Sequence, residues 1–323
     1  MRRVFAAAVL AGALSQCDHV ARRASIVYTT AAIRLSPNPV RFTLQRSFIE
    51  AYKDRVTIAA NFTVDDAPSG PSPNLFDGDM HFAGRAPEVG LRMVAEIVNA
   101  GEEDSAVAQV RRAAKSHRPI PITGAWRLWP EHALGAPEVQ GVPIPALENA
   151  YPDHVFEIHP VLTLGGLGLL GTIHTVEGYR AGAAKRTFGI YQSAELGLRS
   201  TPTTVTLDTP PSLYNDVHFL MEITGSRQEV VEGGRFVTAS ALDTEGNLLV
   251  EGLRMVFIKG SAPERRVSSL RRGARLHVYG LPRISFAEIS RRVQAAGNSG
   301  AAVEGPLPYE IVILGVFPSD TIP

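Results

Sequence analysis

The feature that most constrains the fold is an order of predicted elements that occurs twice. In residues 40–165 three strands are followed by a helix and two more strands, and residues 213–323 give the same order. The strands are indicated by alternation of apolar with polar or small residues, as at Val56, Ile58 and Ala60. The first helix, around "EEDSAVAQVRRAAKSH", carries acids early and bases late, as the helix dipole favours. The sequence therefore predicts two copies of one domain.

Three strands, one helix and two strands is the element order of the OB fold, a small barrel of five strands. We therefore expect a mainly β chain with a few helices, arranged as tandem OB-like five-stranded barrels. Short identities support the duplication: "LRMV" stands in the third strand of each half, Gly124 matches Gly280, and "FEIHPV" matches "YEIVIL". Residues 166–212 are predicted to be a linker with an accessory segment. An all-β sandwich is the alternative fold.

The first 17 residues have the layout of an export signal. Two arginines precede the apolar run 4–14, which is too short to anchor a protein across a bilayer. Cys17, the only cysteine, follows in "LSQC", which resembles a bacterial lipoprotein signal, although Gln16 stands where a small residue is expected. The resemblance implies lipidation of Cys17; an ordinary signal peptide or a buried N-terminal helix is the alternative. We expect an exported protein, periplasmic or anchored as a lipoprotein, whose only membrane contact is that lipid.

The charge composition bears on the partners of the protein. The 32 lysines and arginines equal the 32 aspartates and glutamates, so the formal net charge is zero. Proteins that bind nucleic acid usually carry a basic excess, because phosphate contacts dominate their affinity. The balance argues against nucleic acid and leaves an oligosaccharide or a protein as the expected partner. The basic run "ERRVSSLRRG" is predicted to be one helix, either solvated or facing phosphates or lipid headgroups.

Acids and histidines concentrate on the second, third and fifth predicted strands of the first half. Residues two apart on a strand share a face, so those of "DGDMH" fall together, as do those of "EIH". The third strand of an OB barrel lies beside the fifth, which brings Glu96 towards "EIH". Oxygen and imidazole ligands grouped in this way can hold a divalent metal or act as an acid–base pair. The candidate catalytic residues are Asp77, Asp79, Glu96, Glu157 and His159, and the candidate metal ligands are Asp79, His81 and His159.

Four segments of the first half carry a family resemblance. "FDGDMHF", "AEIVNA", "ITGAW" with its following "EH", and "FEIHPV" resemble bacterial proteins with an OB-fold or thermonuclease-like domain, over roughly residues 40–165. Thermonucleases carry "DGDT" on a barrel strand, with downstream arginine and acidic residues that bind calcium and activate water. Asp77, Gly78 and Asp79 match that opening, but Met80 replaces the threonine and no "LxxxDxPE" segment follows. The resemblance therefore implies the fold rather than nuclease activity.

Two functions from different classes follow as hypotheses. The first is an exported binding protein of OB-like barrels for an oligosaccharide, a peptide or an envelope partner, with Trp129, Arg85 and His132 as candidate ligand contacts. Neutral charge and the lack of a recognised catalytic signature favour it over an enzyme. The alternative is a metal-dependent hydrolase or degenerate thermonuclease-like enzyme, which requires the candidate side chains within about 5 Å of one point in an accessible groove. Against a metal or catalytic site, a purely structural role for Glu157 and His159, bonded to backbone or Arg85, is the favoured alternative. A third possible function, single-stranded nucleic-acid binding, would require a positive groove with exposed aromatic residues.

Overall fold

The computed structural model describes residues 39–71, 78–133, 137–174, 181–211, 213–297 and 300–317. The predicted signal at 1–17, with Cys17, and the candidate Asp77 lie outside these residues. No helix within the described ranges is long and apolar enough to cross a membrane. Export and lipidation therefore stay predictions.

The described chain is mostly strand, with five α-helices. The strands are β1 (Val40–Gln45), β2 (Thr57–Asp66), β3 (Met80–Arg85), β4 (Met93–Ile97), β5 (Ile120–Leu128), β6 (Glu138–Val139), β7 (Phe156–Leu164), β8 (Leu167–Gly168), β9 (Glu195–Ser200), β10 (Thr204–Thr209), β11 (Val217–Val231), β12 (Gly234–Leu242), β13 (Leu248–Ile258), β14 (Arg275–Ile284), β15 (Val303–Pro306) and β16 (Tyr309–Phe317). The helices are α1 (Arg46–Tyr52), α2 (Asp104–Ser116), α3 (Ala184–Ser193), α4 (Ala262–Ser268) and α5 (Phe286–Ala296).

Two closed five-stranded barrels organise these elements. The first has the strand order β4-β3-β2-β5-β7 and closes through a parallel β4–β7 pairing, with β8 beside β7. The second has the order β11-β12-β13-β16-β14 and closes in the same way through parallel β13 and β16. Helix α2 lies between the third and fourth strands of the first barrel, and α4 takes that position in the second. The prediction of tandem OB-like barrels is confirmed.

The strand registers show which residues of the two barrels correspond. Arg127 on β5 faces Glu157 on β7, and Arg283 on β14 faces Glu310 on β16. Gly124 and Gly280 also correspond: a Cβ on the first would lie 2.5 Å from Pro160 O, and on the second 2.7 Å from Val312 O. Close approach of a neighbouring strand thus explains why glycine stands at both positions.

The repeated tetrapeptide "LRMV" is not a structural match. Ala95 of β4 pairs with Ile158 of β7, whereas Met255 of β13 pairs with Ile311, which is the counterpart of Ile158. Ala95 therefore corresponds to Met255, and the two copies of "LRMV" are offset by two residues. The duplication is real, but this identity within it is a coincidence.

The two barrels contact each other with local two-fold symmetry. Arg127 Nε donates to Pro282 O at 2.9 Å, and Arg283 Nη1 donates to Trp126 O at 3.0 Å, the equivalent carbonyl of the other barrel. Apolar residues at equivalent positions fill the space around these bonds. They form the corresponding pairs Val98 and Ile258, Ala125 and Leu281, and Leu162 and Leu314. The contact therefore has the form of a two-fold homodimer interface within one chain.

A further five-stranded sheet, in the order β15-β9-β10-β1-β6, lies beside the barrels. Residues 166–212, predicted to be a linker with an accessory segment, supply β8, α3, β9 and β10, so two of this sheet's strands come from that region. Helix α5 lies between β14 and β15 and packs against α1, with the Phe48 and Phe286 rings 6.0 Å apart. Helix α4 ends at Ser268, so the last two arginines of the basic run follow the helix instead of continuing it.

A buried carboxylate and histidine cluster as the candidate functional site

Side chains from one face of β3, β4 and β7 meet on the outside of the first barrel. Their neighbours along each strand, such as Met80, Ala95 and Ile158, belong to the main apolar core. Because side chains alternate along a strand, the residues between them must point outwards. We call the residues that meet there the acid–histidine cluster; its members are Asp79, His81, Glu96, Glu157 and His159.

The distances show that the cluster converges on the ring of His159. Nδ1 of this ring lies 3.1 Å from Glu96 Oε2, and Nε2 lies 3.4 Å from Asp79 Oδ2. Glu157 Oε2 lies 3.6 Å from Nδ1, and His81 Nε2 lies 3.2 Å from Glu96 Oε2. One donor atom from each of Asp79, Glu96 and His159 lies within 4.8 Å of the other two. The approach of Glu96 to His159, inferred from barrel topology, is found in the structure.

The cluster is buried. The exposed fraction is 6% for Asp79 and 3% or less for Glu96, Glu157 and His159. Exposure rises only towards His81, His132 and Tyr151, whose rings lie beside one another: that of His81 is 5.2 Å from Tyr151 and 6.4 Å from His132. The candidate side chains therefore converge as a metal site requires. They converge in a buried position, however, and not in the accessible groove that the hydrolase hypothesis needs.

Glu157 is held by ion pairs of its own. Arg127 Nη1 lies 2.5 Å from Glu157 Oε2, and His154 Nε2 lies 3.3 Å from Oε1. Arg85, considered as a partner for Glu157 and as a ligand contact, instead pairs with both carboxylate oxygens of Asp65, at 2.8 and 2.7 Å. Arg85 is therefore committed to a structural ion pair at another place on the barrel.

Burial and mutual contact shift the pKa values of the cluster in opposite directions. Burial raises the pKa of Glu96 to about 8, against the attraction of His159. Burial opposes the charged form of His159, yet Glu96 and the Asp79 hydrogen bond hold its pKa well above the usual value. Burial likewise opposes the charge of Glu157, but Arg127 holds the pKa of that carboxyl well below its usual value. At neutral pH these shifts favour the neutral form of Glu96 and the charged forms of His159 and Glu157.

A second group of possible ligands lies beside the first. Donor atoms of Glu131, His132 and Glu157 also lie within 4.8 Å of one another. Arg127, however, lies within 3.1 Å of a carboxylate oxygen of both Glu131 and Glu157. The guanidinium already supplies the positive charge that a metal would bring, so this group is complete as an ion-pair network.

The second barrel provides an internal comparison for the cluster. By strand register Glu96 corresponds to Val256, and Val312 takes the place of the bulged pair His159 and Pro160, because Ile158 matches Ile311 and Val161 matches Ile313. Both valines are buried in the apolar cluster between the barrels. The same barrel fold is thus built with apolar residues at these positions. Barrel closure alone does not require the acids and the histidine of the first copy.

One buried nitrogen of the acid–histidine cluster has no hydrogen bond. His159 Nδ1 has no hydrogen-bond partner among the described residues, although Glu96 Oε2 is only 3.1 Å away. The carboxylate oxygen therefore lies off the direction in which a ring N–H would donate. Two ligands of one metal ion lie in this relation, because both are aimed at the ion instead of at each other.

Sequence reasoning missed two residues of this site and misplaced one. Arg127 and His154 were not predicted, although an arginine three residues after the matched glycine occurs in both halves, in "GAWR" and "GLPR". Trp129, predicted as a ligand contact, is 1% exposed and donates from Nε1 to Tyr214 O at 2.9 Å. It is a core residue. His132 lies at the partly exposed edge of the cluster, 3.2 Å from Glu131.

Comparison with known proteins adds little about function. No family model matches the chain, and no curated protein matches it. The solved structures found include the wild-type single-stranded DNA binding protein from Thermus aquaticus, with 10% identity, a TM-score of 0.21, and coverage of 83% of this chain and 93% of that one. A deletion mutant of the same protein gives the same identity and TM-score, with 95% of its chain covered.

This comparison corrects the prediction about partners. The neutral net charge led us to expect that nucleic acid is an unlikely partner, whereas the chains found are single-stranded DNA binding proteins, so we withdraw that expectation. A TM-score of 0.21 carries no argument about what this chain itself binds. The resemblance to thermonuclease-like proteins is not tested by these comparisons and stays a prediction.

Proposed function

We propose that this chain is a binding protein whose first barrel holds one divalent metal ion between Asp79, Glu96 and His159. The observation that carries the proposal is the convergence of these three buried side chains, since the second barrel has apolar residues where the first has Glu96 and His159. Burying ionisable groups costs free energy unless they are paired or coordinate a metal. A fold that keeps them without needing them for closure is expected to use them.

The donor set fits a transition metal. Carboxylate oxygen and imidazole nitrogen together suit zinc, manganese or iron(II) better than calcium, which takes oxygen ligands almost alone. A ligating histidine usually donates its second N–H to a carboxylate, which fixes the ring. Nδ1 of His159 has no hydrogen bond, so it is the ring nitrogen available to an ion, and Nε2 then keeps a carboxylate oxygen, Asp79 Oδ2, at 3.4 Å. Glu157 is occupied by Arg127 and is expected to stay outside the coordination shell.

Burial favours binding over hydrolysis at this site. A hydrolytic metal needs an open position for water and substrate. Here the proposed ligands are at most 6% exposed, and the partly exposed residues at the edge of the cluster are His81, His132 and Tyr151. We therefore infer that any ligand of the ion enters past these three residues. The exported location remains a prediction from the N-terminal sequence.

Metal titration of the full chain tests the proposal. The variant Glu96→Val with His159→Val installs the residues of the second barrel, and Glu131→Gln with His132→Gln is the matched control in the neighbouring group. We expect chelator-treated wild type and control to bind one equivalent of zinc or manganese by isothermal titration calorimetry. The Glu96→Val, His159→Val variant should bind none while keeping its circular dichroism spectrum.

Thermal stability gives a second reading of the same site. An ion present at 100 times its dissociation constant stabilises the native state by about 2.7 kcal/mol. Wild type and control should therefore melt several degrees higher with metal, and the valine variant should not. Failure of the wild type to bind zinc, manganese or iron(II), or undiminished binding by the valine variant, contradicts the proposal.

A further inference from the structure

The second barrel carries a cavity that the proposed metal site does not use. Its volume is about 550 Å³, and apolar side chains including Leu276, Leu314 and Phe317 line it. Arg266 and His277 contribute polar groups to the same lining. The size and the mixture of apolar and polar groups are typical of a small-molecule site.

Two histidines beside this cavity carry nitrogens without partners. His277 Nδ1 and His218 Nε2 are buried and have no hydrogen-bond partner among the described residues. The His218 ring lies 6.1 Å from that of His277 and 4.7 Å from that of Phe317. Of the two histidines His277 lines the cavity, which thus joins the Phe317 ring with one histidine that carries an unpaired buried nitrogen.

Arg266 and Arg275 line the cavity, and the rest of α4 and the turn after it add further arginines close to them in the sequence. Residues 261–275 contain five arginines and one acid, and that acid, Glu264, lies 3.0 Å from Arg235. Arg275 pairs with Glu222 at 2.6 Å. Four exposed arginines make no ion pair with any residue the structure describes; Arg265 donates to Gly260 O, which leaves Arg266, Arg271 and Arg272 without such a bond. The zero net charge of the chain therefore conceals a local basic surface.

We propose that this surface binds a nucleotide unit, with the base in the cavity and phosphate on the three unpaired arginines. An aromatic base can pack against Phe317 and hydrogen-bond through its edge to the side chain of His277. Guanidinium groups at the rim suit phosphate, which they recognise in a planar, bidentate way. The unit could be a free nucleotide or one residue of a single-stranded nucleic acid, and the inference does not depend on the metal.

Base recognition distinguishes this ligand from other polyanions. A duplex hides its base faces, and an anionic membrane offers phosphate without a base. Both could neutralise the arginines, but neither would fill a 550 Å³ cavity beside Phe317. A single strand or a nucleotide can occupy the cavity with its base and contact the arginines with its phosphate.

The test compares two variants with a control on the equivalent helix of the first barrel. Arg266→Ala, Arg271→Ala and Arg272→Ala together remove the phosphate contacts, and Phe317→Ala removes the base contact. The control is Arg111→Ala, Arg112→Ala and Arg118→Ala, three exposed arginines on α2 and just after it. Binding of a fluorescein-labelled ten-residue oligothymidylate is measured by anisotropy at 50 and 200 mM salt, and binding of ATP by calorimetry.

We expect the wild type to bind the oligonucleotide or ATP, and chelator treatment to leave that affinity unchanged. The variant that lacks Arg266, Arg271 and Arg272 should bind the oligonucleotide at least tenfold more weakly. The slope of log affinity against log salt concentration should become shallower by about 2, since each single-strand phosphate contact contributes about 0.7. Phe317→Ala should weaken binding about tenfold, as loss of one base-stacking contact does. The α2 control should stay within about twofold. ATP binding alone would identify a free nucleotide as the source.

Four results would overturn the inference. They are no binding of either probe at 50 mM salt, equal weakening by the α2 control, tighter binding of a duplex of the same length, or binding of vesicles of anionic phospholipid without binding of either probe. Unchanged circular dichroism spectra are required of each variant. Because metal binding is measured separately, failure here leaves the proposed metal site untouched, and the reverse holds too.

Discussion

Replacing Arg283 by methionine tests how the two barrels are joined. Arg283 is fully buried, and its Nε lies 2.6 Å from Glu310 Oε1. Its Nη1 donates to Val56 O and Trp126 O of the first barrel at 3.2 and 3.0 Å, and its guanidinium lies 3.6 Å from the Trp126 ring centroid. Burial lowers its pKa to about 10 against the pull of Glu310, so the side chain stays charged at neutral pH. Methionine would fill similar space without charge or donors.

The expected loss of stability follows from these contacts. Breaking a buried ion pair from one side costs about 3–5 kcal/mol, because the other charge stays buried. Glu310 keeps Arg254 at 2.5 Å, which places the ion-pair loss near the lower end. Loss of the cation–π contact adds about 1 kcal/mol. We therefore predict a decrease of about 4 kcal/mol in the free energy of unfolding, or roughly 8–16 °C in melting temperature.

Urea unfolding followed by circular dichroism and tryptophan fluorescence measures this loss. The matched control is Arg275→Met, whose exposed pair with Glu222 contributes less than about 1 kcal/mol. Adding Glu310→Gln to Arg283→Met should restore part of the stability, because the carboxylate left behind is no longer charged. A loss below about 1 kcal/mol for Arg283→Met, or a double variant less stable than the single one, would refute the reasoning.

Three further predictions follow. Burial raises the pKa of Glu138 to about 7 against Arg92, so the contribution of Glu138 to stability falls as the pH rises from its unfolded pKa of 4.5 through 7. Between pH 4 and pH 8 the free energy of unfolding of Glu138→Gln should therefore rise by about 3 kcal/mol relative to that of the wild type. A difference that stays constant with pH would disprove this. Gly124→Ala and Gly280→Ala should each lose about 2–3 kcal/mol in urea, because the added methyl meets strand backbone; an unchanged midpoint in either would show that the strands adjust. Arg127→Met should destabilise at least as much as Arg283→Met, since Glu157, unlike Glu310, keeps no arginine and only the contacts with His154 and His159; a smaller loss contradicts the ion-pair assignment.

The barrel strands could be predicted because their signal is local. Alternation of apolar residues placed the strands near their observed positions, and the helix between the third and fourth strands selected the OB-like barrel. The additional sheet has no such signal, because its pairing joins distant segments. Thr43 and Thr206 hydrogen-bond across β1 and β10 although 163 residues separate them. Helix α5 was predictable but missed: Ser285 followed by Glu288 is a helix-start pattern, and the Ser285 side chain caps the Glu288 N–H.

The site was predictable in its composition but not in its environment. Strand geometry and barrel topology were sufficient to bring Asp79, Glu96 and His159 together. The burial of these side chains depends on which residues pack over the outer face of the barrel. Nothing in the local sequence "FEIHPV" indicates that other residues cover this face. The same limit explains the wrong prediction for Trp129. Its place in the sequence pattern is equally compatible with an exposed stacking position and with the core position that it takes. The sequence therefore predicted the donor residues but not their burial from solvent.

Anomalous X-ray diffraction from crystals grown with zinc or manganese tests the central claim most directly. The account predicts one strong anomalous peak within about 2.3 Å of His159 and of at least one carboxylate oxygen of Asp79 or Glu96. A peak at Glu131 and His132 alone, or a cluster in which His159 simply bridges the two carboxylates in the presence of excess metal, would contradict it.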